Sequence, residues 1–272
     1  MIKAMFFDLD GTLLNSEKRV PASAMHALED CKRQGIRLFI ATGRSPRLRE
    51  MLGWTEEQED FFDGGVYCNG ACIKTAEGIV YTRIPPEVVT RAVACVNACP
   101  GLNIALQMMD GSHAFNHPLS EAVYGPWGID ASGVRPVCQA HGEKTVKMLV
   151  YFENLVDSVT PIPQSVICDM RRICEGGARL YVTDGGKVLQ IVHRDASKYE
   201  GVEKVRRMLG IGRDEVAVFG DDMNDLEMLR GYEYAVAMGN ACDEIKTQVK
   251  RVTKSNDEDG IAHAIREILR TC

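Results

Sequence analysis

Two aspartates stand two residues apart in the segment Phe6-Phe7-Asp8-Leu9-Asp10-Gly11-Thr12, directly behind a short apolar run from Ile2 to Phe7. If that run is a strand, side chains at i and i+2 share a face, so both carboxylates are expected to point the same way at its carboxyl end. Gly11 permits a sharp turn there and lets backbone N–H groups come close to a ligand. Paired acids beside such a turn suit metal-assisted chemistry on a phosphate, although an acidic strand-to-loop cap has the same local pattern. A calcium loop also begins Asp-x-Asp. It requires a helix before it and Glu at its twelfth position, which here is Arg19.

Two further polar clusters end apolar runs. Ile36 to Ala41 leads into Thr42-Gly43-Arg44, and Glu215 to Phe219 leads into Gly220-Asp221-Asp222-Met223-Asn224-Asp225. Ligands of open parallel sheets bind outside the carboxyl ends of the strands, so three such ends are three candidate walls of one site. Taken singly, Thr-Gly is a plain strand-to-helix turn, and the acidic run is a helix N-terminus where aspartates are favoured anyway. No G-x-x-x-x-G-K-[ST] or G-x-G-x-x-G segment occurs, which disfavours P-loop and nicotinamide enzymes.

The elements that must position these groups follow from periodicity. In the first third, a strand to Phe7 is followed by a helix over Ala22 to Gln34 that stops at Gly35. A strand over Ile36 to Ala41, a helix from Pro46 to about Leu52 and a strand over Gly65 to Cys68 come next. Strands separated by helices imply parallel βαβ units. The middle differs: a helix over Glu87 to Ala98, strands Asn103–Met108 and Ser112–Phe115 around Asp110-Gly111, and a strand over Thr145 to Phe152. A helix over Pro163 to Cys174 follows, then a hairpin around Asp184-Gly185-Gly186. The last third returns to the first pattern, with a helix over Ser197 to Leu209, a strand to Phe219, a helix over Asp225 to Arg230, a strand over Tyr234 to Ala237 and a helix from Gly260. The expected fold class is α/β: a Rossmann-like parallel sheet core, residues 1–83 and 189–272, interrupted by an α+β insertion over residues 84–188.

Bulk composition narrows the function classes. The 272 residues are 45% hydrophobic and 26% charged, with a formal net charge of −6. That is an ordinary globular balance, large enough for a substantial core, and it offers neither a basic nucleic-acid groove nor a basic membrane face. An acidic chain that handles an anion must concentrate positive charge locally. The ten cysteines contain no C-x-x-C pair and read as small buried residues in a reducing compartment. The N-terminal apolar run is too short for a signal-peptide core and no run reaches membrane-spanning length, so a cytoplasmic protein is expected.

With motif order and spacing together, the chain resembles the haloacid-dehalogenase-like phosphohydrolases, in particular the Cof-type subfamily with a type-II cap. Asp8-Leu9-Asp10-Gly11-Thr12 is similar to the first motif and Thr42-Gly43-Arg44 to the second. Lys198 falls where the third belongs, and Gly220-Asp221 through Asn224-Asp225 resembles the fourth. Val66-Tyr67-Cys68-Asn69-Gly70-Ala71 and the stretch Ala237-Met238-Gly239-Asn240-Ala241 also resemble subfamily segments. The context of Lys198, Arg194-Asp195-Ala196-Ser197-Lys198-Tyr199-Glu200, departs from the subfamily's glycine-containing surroundings, and Lys204 is the alternative deeper in the helix.

The resemblance implies roles. Asp8 would attack phosphorus, and Asp10 would act as acid and then base. Mg²⁺ would be held by Asp8, the Asp10 backbone carbonyl and Asp221, with Asp225 anchoring it from the outer shell. Thr42, Gly43, Lys198 and Asn224 would bind the phosphoryl group. The expected activity is a Mg²⁺-dependent phosphomonoesterase acting on a small phosphorylated metabolite such as a sugar phosphate, with no nucleic acid, membrane or obligate protein partner. A phosphomutase would retain the phosphoenzyme and yield an isomer instead of inorganic phosphate. A non-catalytic phospho-ligand sensor would need no nucleophile and acid together.

Overall fold

The computed structural model describes residues 1–152 and 159–271, with the side chains of 139–141 and 271 left out of the description. The strands in chain order are β1 (Ala4–Phe7), β2 (Arg37–Ala41), β3 (Gly65–Tyr67), β4 (Cys72–Thr75) and β5 (Gly78–Tyr81), followed by β6 (Leu102–Met108), β7 (His113–Phe115), β8 (Val134–Pro136) and β9 (Thr145–Phe152). The remaining strands are β10 (Ala178–Thr183), β11 (Val188–His193), β12 (Val216–Gly220), β13 (Tyr234–Ala237) and β14 (Arg251–Val252). They form two sheets. An eight-stranded sheet runs β14-β13-β12-β1-β2-β3-β4-β5, and a six-stranded sheet runs β10-β11-β9-β6-β7-β8.

By their contacts the residues divide into two compact units, Met1–Gly43 with Asp60–Ile79 and Ser197–Cys272, and Arg44–Glu59 with Val80–Ala196. Segment 44–59, expected in the α/β core, is therefore counted with the second unit. The reasons are local: helix Leu48–Leu52 packs on helix Tyr124–Trp127, and the Arg47 guanidinium donates to the Gly111 carbonyl at 3.1 Å. Residues 153–158 of the expected insertion lie outside the described residues.

In the first unit β1 sits between β12 and β2, parallel to both, and all four of its residues are buried. A central parallel strand is covered on both faces and so reads as an unbroken apolar run. Phe6 stacks on Phe39 of β2 at 4.9 Å and Phe7 stacks on Phe219 of β12 at 4.6 Å. These pairs pin the register at the end of β1, where Asp8 emerges. One face is closed by helices Lys198–Met208 and Leu226–Gly231, through Val202, Val205, Met228 and Leu229. Helices Ala22–Arg33 and Gly260–Thr271 pack on each other. The antiparallel extension by β4 has no counterpart in the expected elements; only Cys72 and Ile73 of its residues are buried.

In the second unit the sheet is antiparallel except for the parallel pair β7–β8. Helices Pro86–Asn97 and Gln164–Cys174 cover one face, and a cluster around Phe115, Trp127 and Tyr151 fills the other. Among the described residues no helix is long and apolar enough to cross a membrane.

Candidate active site

Asp8 follows the last residue of β1, and its backbone N–H still donates to the Phe219 carbonyl of β12 at 3.0 Å. The ladder thus holds Asp8 at the carboxyl edge of the sheet with its side chain buried. Lys198 opens the helix Lys198–Met208, whose N-cap Ser197 accepts from the Glu200 N–H at 3.1 Å. Fixing the helix start fixes the lysine. Its Nζ donates to Asp8 Oδ1 at 2.6 Å and to Asp225 Oδ1 at 2.7 Å, and all three side chains are buried.

The loop after β12 is folded around Asp225. Its second oxygen accepts from the backbone N–H groups of Asp221 and Asp222 at 3.1 and 3.2 Å. A Cβ on Gly220 would lie 2.5 Å from the Asp225 carboxyl carbon, so this turn requires glycine. Asp221 in turn accepts from Thr12 Oγ1 at 2.6 Å. Gly11 has φ +78°, and a Cβ there would sit 2.2 Å from Asp221 Oδ2, so glycine alone permits this approach. Carboxylate oxygens of Asp8, Asp221 and Asp225 come within 4.8 Å of one another.

Three carboxylates face one ammonium here. Burial pushes the Asp8 carboxyl well above the ordinary carboxylate range; Lys198 pulls against it while Asp225 and Asp221 add to it. Asp221 is pushed up to about 7, first by burial and then by Asp225. For Lys198 burial works downward, but Asp225 and Asp8 outweigh it and hold the ammonium above its usual range. A pocket of hard oxygen donors with an excess of negative charge fits a divalent cation such as Mg²⁺, and does not suit a soft metal.

Asp10 is more open to solvent than Asp8. Its carboxylate pairs with Lys18 Nζ at 2.8 Å, is 38% exposed and is not part of the acidic triad. β1 ends at Phe7, so both aspartates lie beyond the strand, and Thr12, Leu13 and Leu14 turn back to donate to Leu9, Asp8 and Leu9. Thr42 is buried just beyond β2; its N–H donates to the Val66 carbonyl at 2.8 Å and its carbonyl accepts from the Asn69 N–H at 3.1 Å. Gly43 follows it, half-buried. Asn224 is buried, and its Nδ2 donates to Asn69 Oδ1 at 3.1 Å. Lys204 is half-buried on a later turn of the helix, so the ammonium beside Asp8 is that of Lys198.

The expectations from sequence gave no role to Thr12, Asn69, Lys18 or Asn240. Asn240 Nδ2 donates to the Gly11 carbonyl at 2.8 Å and steadies the turn. The only available signals were chemical type and place: a hydroxyl next to the Asp-x-Asp-Gly turn and Asn-Gly after a strand.

This geometry can be set beside known proteins. Residues 5–265 match the model of the haloacid dehalogenase-like hydrolases. The chain belongs to that family. Over 266 residues it is 27% identical to the 5-amino-6-(5-phospho-D-ribitylamino)uracil phosphatase YitU of Bacillus subtilis (strain 168), covering 96% of this chain and 95% of that one. Its fold matches the subclass IIB sugar phosphatase BT4131 with a TM-score of 0.78 and 26% identity, over 98% of each chain. It also matches, with a TM-score of 0.80 and 25% identity over 98% of this chain and 99% of the other, a structure showing a trigonal-bipyramidal intermediate in a phosphoryl-transfer superfamily. The α/β sheet core is that of these neighbours, and the chain is an enzyme of the phosphatase type.

Proposed function

We propose that this haloacid dehalogenase-like hydrolase is a Mg²⁺-dependent phosphomonoesterase that cleaves a small phosphorylated metabolite, of the sugar phosphate class or similar, through an aspartyl-phosphate on Asp8. The observation that carries the reading is the buried contact of Lys198 with both Asp8 and Asp225, beside Asp221.

Asp8 gives one oxygen to Lys198, while Asp221 gives one to Thr12 and accepts a long contact of 3.5 Å from the Asn240 amide on the other. Both oxygens of Asp225 are taken, by Lys198 and by two backbone N–H groups, which suits a residue that anchors the site from behind. Asp8, the Asp10 carbonyl and Asp221 would hold Mg²⁺. Bound there, the cation supplies the positive charge that makes an acidic pocket attractive to a phosphate dianion. Two like charges ~4 Å apart repel by about 4 kcal/mol at an effective dielectric near 20, and one lysine cannot offset several such pairs.

In the first half-reaction an Asp8 oxygen bonds to phosphorus while the bond to the leaving oxygen breaks, and Asp10 gives that oxygen its proton. In the second, water attacks phosphorus, Asp10 takes its proton, and the Asp8–phosphorus bond breaks to release inorganic phosphate. Thr42, the Gly43 N–H, Asn224 and Lys198 are assigned to the phosphoryl oxygens. Residues 1–83 and 189–272 are assigned the catalytic core and 84–188 the substrate-selecting cap. A relative named for a phosphorylated ribityl compound and a sugar phosphatase neighbour support a small polyhydroxylated leaving group.

The test is phosphate release across sugar, nucleotide and cofactor phosphates, with Mg²⁺ and with excess chelator, ranked by kcat/KM. Release is expected from a subset of the panel, and only with the metal. Full turnover in chelator, or an isomeric product in place of inorganic phosphate, would refute the assignment.

A further inference from the structure

Three successive residues between β3 and β4, Cys68, Asn69 and Gly70, have positive φ, at 50°, 53° and 90°. Two of them carry side chains, and L-residues seldom enter this region outside isolated turns. All three are buried. Such strain persists only where the surroundings hold it, and it gathers at functional sites. Gly70 is pressed against the residue that caps the Lys198 helix, since a Cβ would lie 2.1 Å from the Ser197 carbonyl oxygen. Asn69, wholly buried, binds two separate walls of the site. Its N–H donates to the Thr42 carbonyl, and its Oδ1 accepts from Asn224 Nδ2, 155 residues away in sequence. The other end of the Asn224 amide, Oδ1, is buried and has no hydrogen-bond partner among the described residues. That orphan acceptor calls for an incoming donor, since leaving it unpaired is costly, while the second Nδ2 hydrogen of the same amide is the group that can donate to an acceptor-only phosphoryl oxygen.

We propose that Asn69 is a positioning residue for phosphoryl transfer: the strained Cys68-Asn69-Gly70 turn uses its side chain to orient the Asn224 amide and its N–H to set Thr42, so that both meet the phosphoryl group. The proposal rests on the phosphatase reading above. In this assignment Asn69 acts through its two neighbours, Asn224 and Thr42.

The probe is p-nitrophenyl phosphate with Mg²⁺, with inorganic phosphate as competitive inhibitor. Asn69→Gly accepts the same positive φ and removes only the side chain, so the fold and Tm are expected to survive. Its kcat should fall at least tenfold with KM changed less than threefold. Asn224→Ala should fall similarly, and the double variant N69G/N224A should be no worse than N224A within twofold, because the two side chains act in series. Asn69→Asp keeps an acceptor for Asn224 Nδ2 and should recover part of the lost kcat. Wild-type kcat in N69G, or losses that multiply in the double variant, overturns the proposal. If N69G is unfolded by circular dichroism, N224A decides: unchanged kcat there also overturns it. Absence of hydrolysis by the wild type on this probe and on the metabolite panel would instead remove the phosphatase reading itself.

Discussion

One helix, Lys198–Met208, carries two buried ionic clusters with opposite charge balance. At its first residue, one ammonium faces the three carboxylates Asp8, Asp221 and Asp225. Five residues on, one carboxylate, Glu203, faces three guanidiniums and a phenol: Arg206 at 2.8 Å, Arg213 at 3.0 Å, Arg207 at 3.2 Å and the Tyr232 hydroxyl at 2.7 Å. Hydrogen bonds from Arg206 lead the causes that hold Glu203 far below the ordinary carboxylate range, whereas burial drives Asp8 and Asp221 above it. The first cluster is short of positive charge and the second is saturated with it. A saturated cluster locks a fold; an unsaturated one stores an attraction for a cation and its anionic substrate.

The largest effect should come from the unsaturated side. Asp8→Asn removes the nucleophile and is expected to lower kcat by at least ~10³-fold. The same change should raise the Tm of chelator-treated protein at pH 8, because Lys198 keeps Asp225 while one crowded carboxylate disappears. Calorimetry and phosphate release on one preparation check both; a folded variant with near-normal turnover would remove the covalent mechanism.

Glu203→Gln should do the reverse, destabilising by about 2 kcal/mol while leaving kcat/KM within twofold at 25 °C. Breaking a fully buried pair costs about 3–5 kcal/mol, and the value here is set lower because Arg207 and Arg213 can turn to water. Urea unfolding monitored by fluorescence measures it. A loss of activity without a loss of stability would erase the contrast between the clusters.

Protons should substitute for the cation at the unsaturated cluster. Asp221 has an ordinary value of 3.8 and a folded value of about 7, so the folded state binds a proton that the unfolded state releases in between. Its stabilising contribution is complete below pH 3.8 and is lost as pH rises through about 7. Metal-free protein should therefore melt higher at pH 5 than at pH 8, and added Mg²⁺ should raise Tm more at pH 8. Equal Mg²⁺ increments at both pH values would contradict this. The smallest effect is expected from Thr12→Val, which removes one hydrogen bond to Asp221. Mg²⁺ half-saturation should rise about tenfold, read by activity titration, with little change in Tm.

Most elements were legible because their periods are local. The expected strands Thr145–Phe152 and Tyr234–Ala237 coincide with β9 and β13, and the long helices begin and end within about two residues of expectation. Three short strands, β4, β5 and β8, were not legible: none is buried through most of its length as the equally short β13 is, so burial imposes little pattern on their residues. Within the site, residue types and their places at strand ends were readable, and the structure brings Asp8, Lys198, Asp221 and Asp225 together. Asp10 lies past the last residue of β1, where strand alternation no longer decides a side chain's place, and its carboxylate pairs with Lys18.

What the sequence by itself determined is the kind of chemistry and the kind of fold: acids and glycines at three strand ends, and apolar runs whose lengths and spacing make parallel strands and helices. Those depend on side-chain type and on periods of two to four residues, which any local stretch of chain expresses. Only the tertiary structure decided which groups meet. Lys198 reaches Asp8 across 190 residues, Asn224 reaches Asn69 across 155, and segment 44–59 packs with the second unit. Such pairings are set by strand register and by the burial of whole faces, and each charge takes its final character from the number of opposite charges buried beside it.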